Sequence, residues 1–214
     1  MLLHTLFDDK PLVSTGETRI FNPKTRKLGT VYVMLDTGAN CSFITDELAD
    51  RLQLQELASR NLTIRAFGTQ QPIRRNCRIT TIQLWDDNKV PHKFIVAKMD
   101  ISLDPVIRPA LSEEDKQFVK DEIIKLSINS EVENIQRQII LSCSDLFSII
   151  DINKATETIL PSGLKLFSSR IGHLLVGRRM RLADQLDDIL RQKQLTAHLQ
   201  QQQAWGEFHS TDTP

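Results

Sequence analysis

A mainly β fold is what this 214-residue chain predicts, interrupted by one inserted helix and followed by a helical, polar tail. Three observations carry it. Period-two alternation of apolar residues runs through much of the first hundred positions. An amphipathic pattern with helical spacing then breaks it at Ser112–Leu126. Short strand-like runs return after Gln138.

Taken in order, "TRIFNP" (Thr18–Pro23) and "GTVYVML" (Gly29–Leu35) flank the polar turn "KTRK" and read as a hairpin. After Asp36, the extended run "CSFI" leads into "TDELADRLQL", a short helix. Thr45 is its N-cap, Asp46 and Glu47 occupy the first turn where the helix dipole favours acids, and Leu48, Ala49 and Leu52 form its apolar stripe. Leu62, Ile64 and Ala66 alternate toward Phe67-Gly68-Thr69. "CRITTIQLW", the turn "DDNK" and "HKFIVAKM" make a second hairpin. Ser112, with Asp115 three residues on, is a capping-box pattern that opens the helix Ser112–Leu126 within an insertion spanning about 105–135. "QIILSC" (Gln138–Cys143) and "DLFSII" (Asp145–Ile150) are predicted strands. "LPSGLKLFSSRIGHLLVG" holds two more, broken by Gly163 and Gly172. From Arg178 the pattern turns helical and polar, through the glutamine run Gln200–Gln203. The expected organisation is an N-terminal extension over 1–14, a domain over 15–178 and a tail over 179–214.

Composition narrows the function. Hydrophobic residues make up 40% and charged residues 25%, enough for a packed core. Lysine plus arginine equals aspartate plus glutamate, 27 against 27, so the chain lacks the global positive field of a nucleic-acid binder. The basic cluster "RRNCR" (Arg74–Arg78) reads as a solvated loop or strand end. Cys41, Cys77 and Cys143 form no CxxC pair, and the five histidines show no ligand spacing. No metal, cofactor or disulfide framework is therefore expected. The start, "MLLHTLFDDKP", has neither a basic leader nor a small-residue cleavage site, and no apolar run reaches membrane-spanning length. The expected location is intracellular and cytoplasmic, without a membrane partner.

One stretch stands out chemically. "VYVMLDTGANCSFIT" drives Asp36 onto the tip of an apolar, β-prone run, and Thr37, Gly38 and Ala39 follow at once. A buried, unpaired carboxylate is costly. Two accounts fit: Asp and Gly as ordinary turn chemistry, or a carboxylate desolvated so that it works as a tuned acid or base.

The context of that loop resembles a known family. An apolar strand, then Asp36-Thr37-Gly38-Ala39, then a helix, looks like the active-site loop of retropepsin-type aspartic proteases. "MLDTGANCSFITDELADRLQL", then "AFGT", "ILSCSDLF" and "LPSGLKLFSSRIGHLLVG", is similar to the peptidase region of Bel/Pao-type LTR retrotransposon polyproteins. The match covers about 15–178 and is strongest over the Asp36 loop, and Ser42–Leu54, Leu160–Leu164 and Gly172–Gly177 also resemble the family. The resemblance implies a closed β-barrel of the acid-protease fold, one lobe per chain. It implies an aspartic endopeptidase with Asp36 as the catalytic residue and Thr37 and Gly38 supporting the loop. Ala39, Asn40 and a flap at Phe67, Gly68 and Thr69 would bind substrate. Gly68 is equally accounted for as an ordinary hairpin glycine.

The chemistry needs two carboxylates holding one water, and like charges about 3 Å apart share a single proton. Only one D-T/S-G motif is present, so a symmetric homodimer must supply the second Asp36, acting on a peptide or polyprotein. The chain also departs from the family. Ser142 and Cys143 stand where an aliphatic residue and a glycine are expected, and the added volume would press on the Asp36 loop. Asn40 and Ser144 replace an acid–arginine pair. Three readings thus stand open: a homodimeric endopeptidase that processes a retroelement polyprotein, a weak or inactive relative serving as a dimerisation or interaction module, and an unrelated β-rich binding domain in which the motif is only a turn.

Overall fold

The computed structural model describes residues 14–64, 71–100, 103, 105–108, 110–128, 134–150 and 156–177. The chain divides into two compact units, Met1–Arg178 and Arg179–Pro214. The second, with the expected helical tail, lies outside the described residues, as do positions 1–13.

Among the described residues strand makes up 49% and helix 13%, so the structure is mainly β. In chain order the elements are β1 (Thr15–Asn22), β2 (Lys27–Leu35), β3 (Phe43–Thr45), α1 (Asp46–Arg51), β4 (Ala58–Ile64), β5 (Ile73–Trp85) and β6 (Pro91–Met99). There follow β7 (Val106–Ile107), α2 (Glu113–Asp121), β8 (Asn134–Ile135), β9 (Ile139–Leu141), α3 (Cys143–Leu146), β10 (Glu157–Ile159), β11 (Lys165–Ser169) and β12 (Gly172–Val176). The main sheet runs β1-β2-β9-β3-β6-β5-β4, and Arg19↔Trp85 and Ile20↔Leu84 join β1 back to β5. Six strands thus close into a barrel, and β4 hangs on β5 outside the closure.

Alternation builds the interior. Val31, Val33 and Leu35 of β2 point inward, as do Ile82 and Leu84 of β5 and Phe94 and Val96 of β6. Ile139 and Leu141 of β9 complete the wall, and Leu48 and Ala49 of α1 plug it. Each large side chain so buried contributes roughly 1.5–3 kcal/mol. Thr45 caps α1 as expected, its hydroxyl accepting from Leu48 N at 3.4 Å.

The insertion carries its own small core. Ser112 and Asp115 form the expected capping box of α2. Phe118 and Val119 pack with Leu111, Leu160, Leu164, Leu166 and Leu175, so the helix covers the sheet β10-β11-β12. The helix stops at Asp121 rather than continuing to Leu126. Ile123 turns to φ 53°, and the next residues pair with β12: His173 N donates to Lys125 O at 2.8 Å and Ser127 N to His173 O at 2.9 Å. Strand pairing overrides helical periodicity there. Gly172 makes this approach possible, since at φ +92° a Cβ would lie 2.8 Å from Ser127 N.

Two further differences from the sequence reading appear. Asp145–Ile150 is not a strand: α3 and a following turn occupy it, with Leu146 N donating to Ser142 O and Ile150 N to Leu146 O, both at 2.9 Å. Leu146, Ile149 and Ile150 lie at helical spacing and face the core, whereas Phe147 is 50% exposed. β10 was not anticipated. Among the described residues no helix is long and apolar enough to cross a membrane.

Candidate functional site

The site is the loop that leaves β2. Leu35 is buried, and Asp36 directly after it is half-buried. The chain turns because Asp36 Oδ1 accepts from Gly38 N at 2.8 Å and Asp36 O from Ala39 N at 3.3 Å, the short-range bonding that makes Asp a turn former. A Cβ on Gly38 would sit 3.3 Å from Asp36 Oδ1, so the glycine leaves the carboxylate room to hold this geometry. Thr37 and Asn40 are exposed and Ala39 is half-buried.

Three ties fix the loop to the segment that ends β9 and starts α3. Asp36 N donates to Leu141 O at 3.0 Å, and Cys143 N donates to Ala39 O at 3.0 Å. Ser142 N donates to Ser42 Oγ at 2.9 Å, and Ser42 Oγ in turn donates to Asp145 Oδ2 at 2.5 Å. Ser142 is buried beside them, its hydroxyl 3.1 Å from Ser144 Oγ and 3.4 Å from Asp145 Oδ2. The serine in the expected aliphatic position is therefore a member of a polar cluster. Cys143 packs against the main core while its N–H holds Ala39. The sequence does not single out the bonds of Ser42 to Ser142 and Asp145 as a site feature, because these partners are 100 or more residues away from it and no local pattern joins them.

Beside the loop rises the β4–β5 hairpin, paired from Ala58↔Ile79 to Ile64↔Ile73. Leu62, Ile64 and Ile79 pack in one cluster with Cys77, Ala97 and Met99 and with Cys41 and Phe43, the residues just past the Asp36 loop. The expected flap residues Phe67, Gly68 and Thr69 come between β4 and β5 in the sequence and lie outside the described residues. Burial first, then the charge of Asp145 and the neighbouring Cys77, pushes the Cys41 thiol up, and burial does the same for Cys77. Both are therefore held protonated at neutral pH. Among the described residues no three His, Cys, Asp or Glu side chains converge on a common point.

No protein-family model matches the chain, and neither a curated protein nor a solved structure matches it. The class that the coordinates define is a mainly β protein with a closed six-strand barrel, carrying an aspartate on a tethered turn at the end of one barrel strand.

Proposed function

We propose that the chain is one lobe of an aspartic endopeptidase of retroelement type, which becomes competent when two copies bring their Asp36 carboxylates together. The observation that carries this reading is the Asp36 turn: a carboxylate oriented by Gly38 N–H, half-exposed on its own chain, on a loop fixed by three ties to the β9–α3 segment. A partner copy completes the desolvation that a single chain leaves unfinished. Thr37 supports the same reading, since its exposed hydroxyl is available to bond across a twofold axis.

In the pair, two carboxylates hold one proton and one water between them. The ionised Asp36 takes a proton from the water as its oxygen attacks the scissile carbonyl carbon. The protonated Asp36 donates to the carbonyl oxygen, giving a neutral tetrahedral diol. Collapse breaks the C–N bond, one hydroxyl proton returns to the dyad, and the amine leaves with a proton from it. In this reading the β4–β5 hairpin, which packs with Cys41 and Phe43, would bound the cleft on one side. The test is cleavage of a peptide library at mildly acid pH by the wild-type chain and by Asp36→Asn. We expect cleavage by the first alone, with both proteins equally folded; cleavage that survives in Asp36→Asn overturns the proposal.

A further inference from the structure

We infer that the β4–β5 hairpin is a wall that binds acidic peptide segments, and that substrates of this site carry Asp or Glu next to the cut. The inference rests on the peptidase reading for its second half only. Its basis is a local imbalance within a neutral chain. Residues 58–79 contain Arg60, Arg65, Arg74, Arg75 and Arg78 and no Asp, Glu or Lys.

Of these, Arg78 is already neutralised, 2.9 Å from Asp46 and 3.1 Å from Glu56. Arg75 gives one Nη1 bond to the backbone carbonyl of Asp100 at 3.3 Å and forms no ion pair among the described residues. Arg74 has no acidic partner among the described residues and is exposed. Arg74 pairs across the ladder with Thr63 and Arg75 with Leu62. Together with Asn61 and Asn76 these four residues line a depression of about 410 Å³. Consecutive on β5, the two arginines leave opposite faces of the hairpin, Arg74 on the side of Asn61 and Asn76 and Arg75 on the apolar side with Leu62. Each guanidinium fork suits a planar carboxylate, which accepts two parallel N–H bonds from one arginine.

Place and chemistry agree. The same hairpin shares its apolar face with Cys41 and Phe43 beside the Asp36 loop, so a peptide lying along it would run toward the carboxylate. A phosphate polymer fits less well. The chain has zero net charge, and Phe67 is the only aromatic residue in 58–79 on which a base could stack.

The experiment uses full-length Asp36→Asn, which cannot consume its ligand, and fluorescence anisotropy with three labelled probes. These are a Glu-rich peptide, the same peptide with Gln for Glu, and an oligothymidylate of equal length. The Glu peptide should bind about tenfold tighter than its Gln counterpart, and the preference should shrink as salt shortens the screening length. Arg74→Glu/Arg75→Glu should abolish the preference while keeping the melting temperature, and Arg74→Glu alone should reduce it. Should the double variant unfold, the single variant decides. A preference unchanged by charge reversal, or oligothymidylate bound more tightly than the Glu peptide, overturns the inference. Wild-type cleavage separates the two proposals. Preferential binding without cleavage sinks the peptidase reading and leaves the basic wall standing. Cleavage indifferent to peptide charge, with indifferent binding, does the reverse.

Discussion

Ser42 Oγ donates to Asp145 Oδ2 at 2.5 Å while accepting from Ser142 N at 2.9 Å, which couples the exit of the Asp36 loop to the first turn of α3. Asp145→Ala removes the charged, closer acceptor of the buried Ser42 hydroxyl and leaves only Ser142 Oγ at 3.2 Å, a loss of about 1–3 kcal/mol. The melting temperature should fall by a few degrees. Peptide cleavage should fall by a larger factor than the unfolded fraction accounts for, because the loop loses one of its ties. Asp145→Asn, which keeps an acceptor oxygen, should restore most of both. Equal activity in Asp145→Ala and wild type would show that the coupling does not position Asp36.

A shared dyad makes activity a function of association. Cleavage per chain should fall as the protein is diluted, and the concentration at half-activity should match the dimer–monomer midpoint from sedimentation. Cleavage strictly proportional to concentration in proven monomer rules out a site built from two copies of Asp36.

Asp115 predicts an acid limit for the insertion. Burial alone would push its carboxyl up, but bonds from Ser162 and Ser112 outweigh burial and hold it below its ordinary 3.8. With the folded value depressed, this contribution to stability is fully present above 3.8 and is lost as pH falls through the lower folded value. Asp115→Asn should therefore melt several degrees below wild type near neutrality, with the gap closing below about pH 4. A gap that is constant from pH 7 to about pH 3 would show that the charge of Asp115 is not what stabilises the cap.

Cys143 joins two roles that one substitution separates. Its N–H holds Ala39 O, and its side chain packs on the main core as the first residue of α3. Cys143→Gly keeps the first and removes the second. Stability should drop by about 1–2 kcal/mol from lost packing and added backbone freedom. Cleavage per folded molecule should rise if side-chain volume presses on the Asp36 loop, and the melting curve separates that gain from the stability loss. Unchanged stability would mean that the cysteine contributes no packing.

How far the fold was legible follows from where its signals lie. The two hairpins, the Thr45 cap and the Ser112–Asp115 box rest on residues close in sequence, and the structure shows all of them. Asp145–Ile150 misled because a short run with apolar residues at both ends suits strand and helix alike, and the i, i+3, i+4 placing of Leu146, Ile149 and Ile150 was the available discriminator. Insertion of β9 between β2 and β3 left no local trace, since its strands are set far apart in the chain and β9 pairs parallel to one and antiparallel to the other. For the same reason Asp36 could be singled out from its own neighbours, whereas the Ser42–Asp145 tie could not.

That insertion has a consequence for biosynthesis. The two hairpins need only near neighbours and can form as soon as they are made, but the Asp36 turn has no anchor until Leu141 and Cys143 arrive. At roughly 5–20 residues per second, a translating ribosome needs about 5–20 seconds to add the hundred or so residues between them. Closing so long a loop also makes this the slow step of folding. A nascent chain therefore carries a partly built barrel with a slack aspartate loop, and the loop is drawn taut only when β9 slides between β2 and β3. Pulse-labelling hydrogen exchange during refolding should show the Asp36 and Cys143 amides gaining protection together, after those of the β5–β6 hairpin. A chain interrupted before residue 139 would lack β9 and with it both anchors of the Asp36 turn.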